Sequence, residues 1–172
     1  MPLPVGLGRF PSVTKLDRKI LAVSVFLYVV AVFLPGLAAH GPNPYGFHAY
    51  SGFECLVWGG ATALGGSRYF LPWSANLFYL PALILWCLGR WGRVLASVLA
   101  LGGLIFASFT FRIDSVIVNE AGLRAAVRPG LGAWFWIASM LVILVGPLVK
   151  RPAPPVLSAT APQSSGTRLN GR

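Results

Sequence analysis

Four residues in the segment 40–55 have side chains that could bind a metal ion or catalyse a reaction: His40, His48, Glu54 and Cys55. Histidine, glutamate and cysteine are common ligands of zinc and copper. The two histidines are eight residues apart with prolines between them, and no HxxxH or HExxH pattern occurs. The sequence therefore predicts no metal site and no cofactor.

Cys55 could also act as a catalytic nucleophile if a histidine served as its base. A reactive thiol needs a lowered pKa, which a nearby positive charge usually provides. The neighbours of Cys55 in the chain are Glu54 and Leu56, and neither is positively charged. The sequence therefore favours a protein that is not an enzyme, and we interpret this segment as chain that lies at a lipid surface.

The composition indicates a membrane protein. Of the 172 residues, 56% are hydrophobic and only 10% are charged, whereas a soluble domain has about 25% charged residues. A helix that crosses the hydrocarbon core, roughly 30 Å thick, needs about 20 apolar residues. The apolar runs predict four such spans, at residues 20–38, 73–89, 94–111 and 132–149.

This pattern predicts an all-α transmembrane fold, a four-helix antiparallel bundle with a small outer cap. The bundle occupies residues 20–149, between a basic cytoplasmic lead at 1–19 and a disordered cytoplasmic tail at 150–172 that is rich in Pro, Ser and Ala. Two segments form the cap. Residues 53–66 are too short to cross and are interfacial or re-entrant. Residues 115–127 are a short β-hairpin, the alternative being an irregular loop or a helical turn.

The basic residues predict the orientation. The net charge is +10, and the arginines and lysines gather at the ends of apolar runs. With the amino terminus in the cytoplasm, four spans put ten of the fourteen basic residues on the cytoplasmic side, as the positive-inside rule requires. No basic helical face occurs, so nucleic acid is not expected as a partner. The predicted location is a bacterial inner membrane, with both termini in the cytoplasm.

Small residues predict how the helices pack. Helices in lipid associate through close backbone approach, which small side chains permit. One stripe on the third span, at steps of four, three and four residues, comprises Ala96, Ala100, Gly103 and Ala107. A sparser stripe on the second span, at steps of seven, comprises Ala75, Ala82 and Gly89. We expect the stripes to face each other or a third helix, the alternative being a random scatter of common residues.

Polar residues predict two further kinds of contact. Asn76, one turn inside the second span, could hydrogen-bond across helices or cap the helix end. Charged and polar groups outside could tie the two outer loops into the cap, with Glu54 paired to an arginine. The candidates for these outer contacts are His48, Glu54, Arg68, Arg112, Asp114 and Glu120. The span interiors contain no ionisable residue, which disfavours ion transport.

A resemblance to other proteins rests on two segments, WSANLFYLPALIL at 73–85 and GAWFWIASMLVIL at 132–144. They resemble small uncharacterised four-helix bacterial inner-membrane proteins, in which one helix starts with tryptophan-x-Ala-Asn and the last starts with glycine and aromatic residues. The resemblance covers residues 52–149. It implies the fold and the location, and it implies no activity.

The predicted function is that of a non-enzymatic accessory or structural subunit, which packs in the lipid bilayer against another membrane protein or complex. Two alternatives are open. One is a small immunity or protective protein that acts at the periplasmic face. The other is a binder or carrier of a neutral lipid or apolar solute, held between helices that splay at Pro81.

Overall fold

The structure is a computed structural model, and it describes residues 14–40, 46–64, 70–117 and 124–149. The predicted tail at 150–172 and most of the predicted lead lie outside the described residues. The helices are α1 (Lys15–Phe33), α2 (Gly52–Leu64), α3 (Phe70–Trp73), α4 (Ala75–Trp86), α5 (Gly89–Ser108) and α6 (Leu131–Val145). The strands are β1 (Pro35–His40), β2 (Phe47–Ser51), β3 (Ser115–Ile117) and β4 (Arg124–Pro129). Short 3-10 segments, Phe109–Arg112 and Gly146–Leu148, follow α5 and α6.

The predicted all-α, four-helix transmembrane bundle is wrong. The described residues contain a four-stranded antiparallel sheet in the order β2-β1-β4-β3. Among the same residues, only two helical segments are long and apolar enough to cross a membrane, Gly89–Arg112 and Leu131–Leu148. These two segments overlap the predicted spans 94–111 and 132–149.

The other two predicted spans fail for different physical reasons. In α1 the first turns carry Lys15, Asp17, Arg18 and Lys19, so the uncharged part starts at Ile20 and ends at Phe33. A helix that long covers roughly 21 Å, well short of the hydrocarbon core. Helix α4 has only 12 residues. It ends at Trp86 because the chain turns at Cys87 and Leu88 and reaches Gly89 with a positive φ of 83°.

The sheet contains strands that the sequence did not predict. Strand β1 replaces the end of the predicted span 20–38, and β2 lies between the first two predicted spans. β1 pairs with β2 on one side and with β4 on the other. The strand sequence PGLAAH has no Val, Ile, Thr, Phe, Tyr or Trp, the residues that favour strands, so it carries no local signal for a strand. The predicted segment 53–66 is helical in its described part, as α2, and β3 pairs with β4 within the predicted hairpin segment 115–127.

The helices pack side by side in the sequence α4, α5, α6, α1. On α5 the residues Ala96, Ala100 and Ala107 are fully buried. A Cβ on Gly103 would lie 3.3 Å from both the Ala75 carbonyl oxygen and the Met140 Sδ, so this stripe lies where α4 and α6 both approach α5. Ala75 and Ala82 are buried on α4. Gly89 is the first residue of α5, so it does not continue the α4 stripe.

A buried polar group joins three of these helices. The Ser24 hydroxyl of α1 lies 2.7 Å from the Tyr79 hydroxyl of α4 and donates to the Ser139 carbonyl of α6 at 2.8 Å. All three residues are fully buried. Because each hydroxyl has partners, the network fixes the helices relative to one another without leaving an unsatisfied group.

The two ends of the helical part differ in character. At one end, which we call the basic end, α1 and α5 begin and α6 finishes, and Lys15, Arg18, Lys19 and Arg90 are exposed there. At the other end, the sheet end, β1 follows α1 and β4 precedes α6. The buried residues Ala39, Ala125 and Val127 form the inner face of the sheet and pack against Tyr50, Ile113 and Val116.

Candidate functional site

A cavity of about 670 Å³ lies at the sheet end and is partly open to the surface. Its wall is formed by the end of α1, the starts of α4 and α6, helices α2 and α3, the 3-10 segment after α5, and strands β1, β2 and β3. Most of the lining is apolar, from Ala31 and Val32 on α1 to Trp58 on α2 and Val116 on β3. Ligand sites in proteins commonly have volumes of about 300–1,000 Å³ and a lining of this kind.

Two glycines let the backbones approach closely enough to form this wall. Gly52, at the start of α2, donates its N–H to the Leu34 carbonyl at 2.8 Å, and a Cβ there would overlap the Ala31 carbonyl oxygen. Gly132, at the start of α6, is similarly close to the end of α1. A Cβ added there would lie 2.8 Å from the Leu34 carbonyl oxygen. Both positions therefore exclude any larger residue unless the helices separate.

The side of the cavity formed by α2 is held by a tryptophan. The Trp73 indole donates to the Leu56 carbonyl at 2.7 Å, which ties α3 to α2. The ring lies over two glycines of α2, because a Cβ on Gly59 would come within 2.8 Å of Trp73 Cδ1 and one on Gly60 within 3.2 Å of Cε2. The two glycines in the sequence WGGA therefore leave space for the Trp73 ring to pack against α2.

Asn76 joins three helices where they line the cavity. Its Oδ1 accepts hydrogen bonds from the Tyr28 hydroxyl of α1 at 3.2 Å and from the Trp136 indole of α6 at 3.1 Å. Its Nδ2 donates to the Trp73 carbonyl at 3.1 Å. Two donors use both lone pairs of the amide oxygen, so the protein already satisfies that oxygen.

Thr110, unlike Asn76, has a polar group without a hydrogen-bond partner among the described residues. It lies in the 3-10 segment after α5, lines the cavity and is only 6% exposed. Its hydroxyl oxygen is buried and has no hydrogen-bond partner among the described residues. A buried hydroxyl without a partner costs about 1–3 kcal/mol, and such a group is unusual in a folded protein.

Glu54 is the charged residue among the lining groups of the described chain. Hydrogen bonds from the backbone N–H and hydroxyl of Ser51, at 2.7 and 3.0 Å, lower the pKa of its carboxyl group. Glu54 N–H donates back to the Ser51 hydroxyl at 3.1 Å. This reciprocal arrangement is a capping box at the start of α2.

The candidate outer-cap residues are not joined as one polar cluster. Glu54 bonds to Ser51, and no ion pair links it to an arginine within the described ranges. His48 stacks edge-on against Tyr50, its ring centroid 4.4 Å away, and Arg112 lies over the Phe109 ring at 5.6 Å. Asp114 is exposed, and its backbone carbonyl accepts from Val127. Arg68 and Glu120 lie outside the described residues.

The basic end contains a buried ion pair that the sequence did not predict. The Asp17 carboxylate is fully buried and lies 3.0 Å from a terminal nitrogen of Arg93, whose side chain is 8% exposed. The Trp86 indole donates to the Asp17 carbonyl at 3.2 Å, so α1, α4 and α5 meet at this residue. Thr14 and Asp17 also form a capping box. The spacing T-x-x-D before an apolar run could have indicated this cap, but nothing local indicates Arg93 as the partner.

No family model, curated protein or solved structure matches this chain. The described residues also contain no group of three His, Cys, Asp or Glu side chains that could hold a metal ion. The function must therefore be argued from the cavity and its lining.

The thiol of Cys55 lines the cavity, where its surroundings disfavour the reactive thiolate form. Burial, followed by the charge of neighbouring Glu54, raises the pKa of Cys55 to about 11. At pH 8 only about one thiol in a thousand would then be ionised, against roughly a quarter for an unperturbed cysteine. Since the thiolate is the nucleophile, the geometry does not favour cysteine catalysis.

This predicts slow alkylation. In a Cys87→Ser protein, which retains Cys55 as its single cysteine, iodoacetamide should modify Cys55 at pH 8 at roughly 1/250 of the rate of a cysteine peptide, as the ionised fractions predict. The rate should rise with pH up to about pH 11 and should recover in denaturant, as followed by mass spectrometry. A native rate equal to that in denaturant would contradict the burial of this thiol.

Proposed function

We propose that this chain is a non-enzymatic membrane protein that binds a neutral lipid or apolar solute in the cavity at the sheet end. The observation that carries the proposal is the cavity itself, about 670 Å³ of mostly apolar space with few polar groups. A space of this kind would be costly to leave empty, because its lining loses dispersion contacts on one side. A ligand of matching polarity restores those contacts.

The chain's surface supports a ligand that arrives from a bilayer. Two helical segments are long and apolar enough to cross a membrane. Trp58 lines the cavity while its side chain is 65% exposed, so it stands at the mouth, and Phe53 and Val57 of the same helix are also exposed. An apolar mouth of this kind is favourable in contact with lipid and unfavourable in contact with water.

The charges at the cavity support an uncharged ligand. Glu54 is the one ionised group among the described lining residues, and neither lysine nor arginine is found among them. An anionic head group buried in the apolar lining would lose its hydration and find no cation among the described lining residues, which is costly. Fatty acids and phosphates are therefore disfavoured relative to alcohols, esters and hydrocarbons.

For the location, we propose a bacterial inner membrane with the basic end facing the cytoplasm. Among the described residues, four exposed basic side chains lie at that end, Lys15, Arg18, Lys19 and Arg90, against three at the sheet end, Arg112, Arg124 and Arg128. The direction of this small excess agrees with the positive-inside rule. The roles of accessory subunit and of immunity protein remain predictions from the sequence. Of the alternatives, the cavity favours ligand binding, although not between helices splayed at Pro81, because Pro81 is exposed on α4 and does not line it.

A matched pair of tryptophan substitutions on α1 tests the proposal. Val32 lines the cavity, whereas Val29, three residues earlier, is 45% exposed on the outer surface. Val32→Trp should fill the space and abolish most ligand retention, while Val29→Trp should retain the wild-type amount. The measurement is quantitative mass spectrometry of apolar molecules extracted from protein purified out of native membranes in mild detergent, with thermal stability recorded for both variants.

Two results would contradict the proposal. One is wild-type protein that retains no apolar molecule above the level of a control membrane protein. The other is equal retention by Val32→Trp and Val29→Trp when both are folded.

A further inference from the structure

We infer that the ligand carries an uncharged hydroxyl or carbonyl group, and that the hydroxyl of Thr110 is the residue that anchors it. This inference rests on the proposed function and names the chemical class of its ligand. Two independent observations meet at Thr110: it lines the cavity, and its buried hydroxyl has no partner in the described part of the chain.

Most of the other polar groups of the wall already have hydrogen-bond partners in the protein. Asn76 accepts two hydrogen bonds and donates one, Tyr28 and Trp136 donate to it, and Trp73 donates to Leu56. Glu54 accepts from Ser51 and caps α2. Tyr50 and Trp58 also line the cavity, but both are partly exposed, so solvent can reach them. Thr110 is the buried lining residue whose hydroxyl makes no hydrogen bond within the described protein.

The chemistry of a threonine hydroxyl determines which ligand groups fit. It has one donor and two acceptor sites, so it can donate to a carbonyl or exchange a hydrogen bond with an alcohol. The Thr110 hydroxyl oxygen is itself buried, so a rotation about χ1 to another staggered rotamer is needed to bring it to a ligand group in the cavity. A carboxylate or phosphate would also need a cation, which the described lining does not supply.

Three brominated C18 probes with matched tails separate these possibilities: 9,10-dibromooctadecan-1-ol, 9,10-dibromooctadecane and 9,10-dibromooctadecanoate. Bromine quenches tryptophan fluorescence on contact, and Trp58, Trp73 and Trp136 line the cavity. Each probe is titrated into the full-length protein in lipid nanodiscs. Partition of a given probe into the bilayer is the same for all variants, so differences between variants report the site.

In the wild type, the alcohol should bind about fivefold to tenfold more tightly than the hydrocarbon, as expected for one hydrogen bond, and the carboxylate should bind more weakly than the alcohol. Thr110→Val keeps the shape of the side chain and removes the hydroxyl, so it should abolish the preference for the alcohol while leaving hydrocarbon binding and thermal stability intact. The matched control is Ser108→Ala, which removes an exposed hydroxyl two residues away and should keep the preference.

The outcomes distinguish the two proposals. Equal binding of alcohol and hydrocarbon by the wild type, an unchanged preference in Thr110→Val, or binding of the carboxylate as tight as that of the alcohol would overturn the assignment of Thr110 and its ligand class while the cavity remained a lipid site. Absence of specific quenching by all three probes would overturn the lipid site and this inference together.

Discussion

Replacing Arg93 with alanine is expected to lower the free energy of unfolding by about 3–5 kcal/mol, because it leaves a buried carboxylate without its cation. The Asp17 carboxylate is fully buried and lies 3.0 Å from Arg93. Asp17 also caps α1 through Thr14, and its carbonyl accepts from Trp86. The loss of Arg93 should therefore loosen the junction of α1, α4 and α5 as a unit.

The measurement is unfolding in detergent micelles, followed by circular dichroism, with Arg90→Ala as the matched control. Arg90 is exposed on the same turn of α5, so its removal should cost less than about 1 kcal/mol. The double variant Asp17→Asn with Arg93→Met should recover most of the lost stability, because it removes both charges and keeps a polar cap. If Arg93→Ala is no more harmful than Arg90→Ala, the ion pair does not stabilise the fold.

Gly52→Ala is expected to be the most damaging single-methyl change near the cavity, lowering the free energy of unfolding by about 3 kcal/mol. The added Cβ would overlap the carbonyl oxygen of Ala31 and come within 3.0 Å of Val32 Cα, and both are backbone atoms that cannot rotate away. Helix α2 would have to separate from α1. Since both helices line the cavity, retention of the apolar ligand should fall in parallel.

Gly102→Ala is the control for this second substitution. Its Cβ would meet the Phe78 ring at 3.1 Å, which is a side chain that can shift, and alanine favours the interior of α5. Its effect on the unfolding midpoint should be close to zero. Equal stabilities for the Gly52 and Gly102 variants would show that α2 does not pack tightly on α1.

Local signals in the sequence account for part of the fold. The predicted spans 94–111 and 132–149 are uninterrupted apolar runs, and such a run is the main requirement for a helix that crosses a membrane. Both runs lie almost wholly within the candidate spans of the structure. The steps between Ala96, Ala100, Gly103 and Ala107 follow the helical period. They therefore identify one face of α5 without knowledge of its neighbours.

The rest of the fold depends on contacts between distant parts of the chain. Strand β1 exists because β2 and β4 lie on either side of it, and its own residues have weak strand propensity. The pairing of Asp17 with Arg93 joins residues 76 positions apart. The cavity is lined by residues from nine elements distant in sequence, and a threonine that lacks a partner is recognisable only when all its neighbours are known.

The joints between helices and strands at the sheet end are very short. A single residue, Leu34, separates α1 from β1, and a single residue, Gly130, separates β4 from α6. Gly130 donates to the Gly36 carbonyl at 2.9 Å, and β1 and β4 are hydrogen-bonded alongside. Helix α1 with β1 and helix α6 with β4 are thus mechanically coupled through the sheet. A tilt of either helix would shift the strands, and with them the sheet residues that line the cavity.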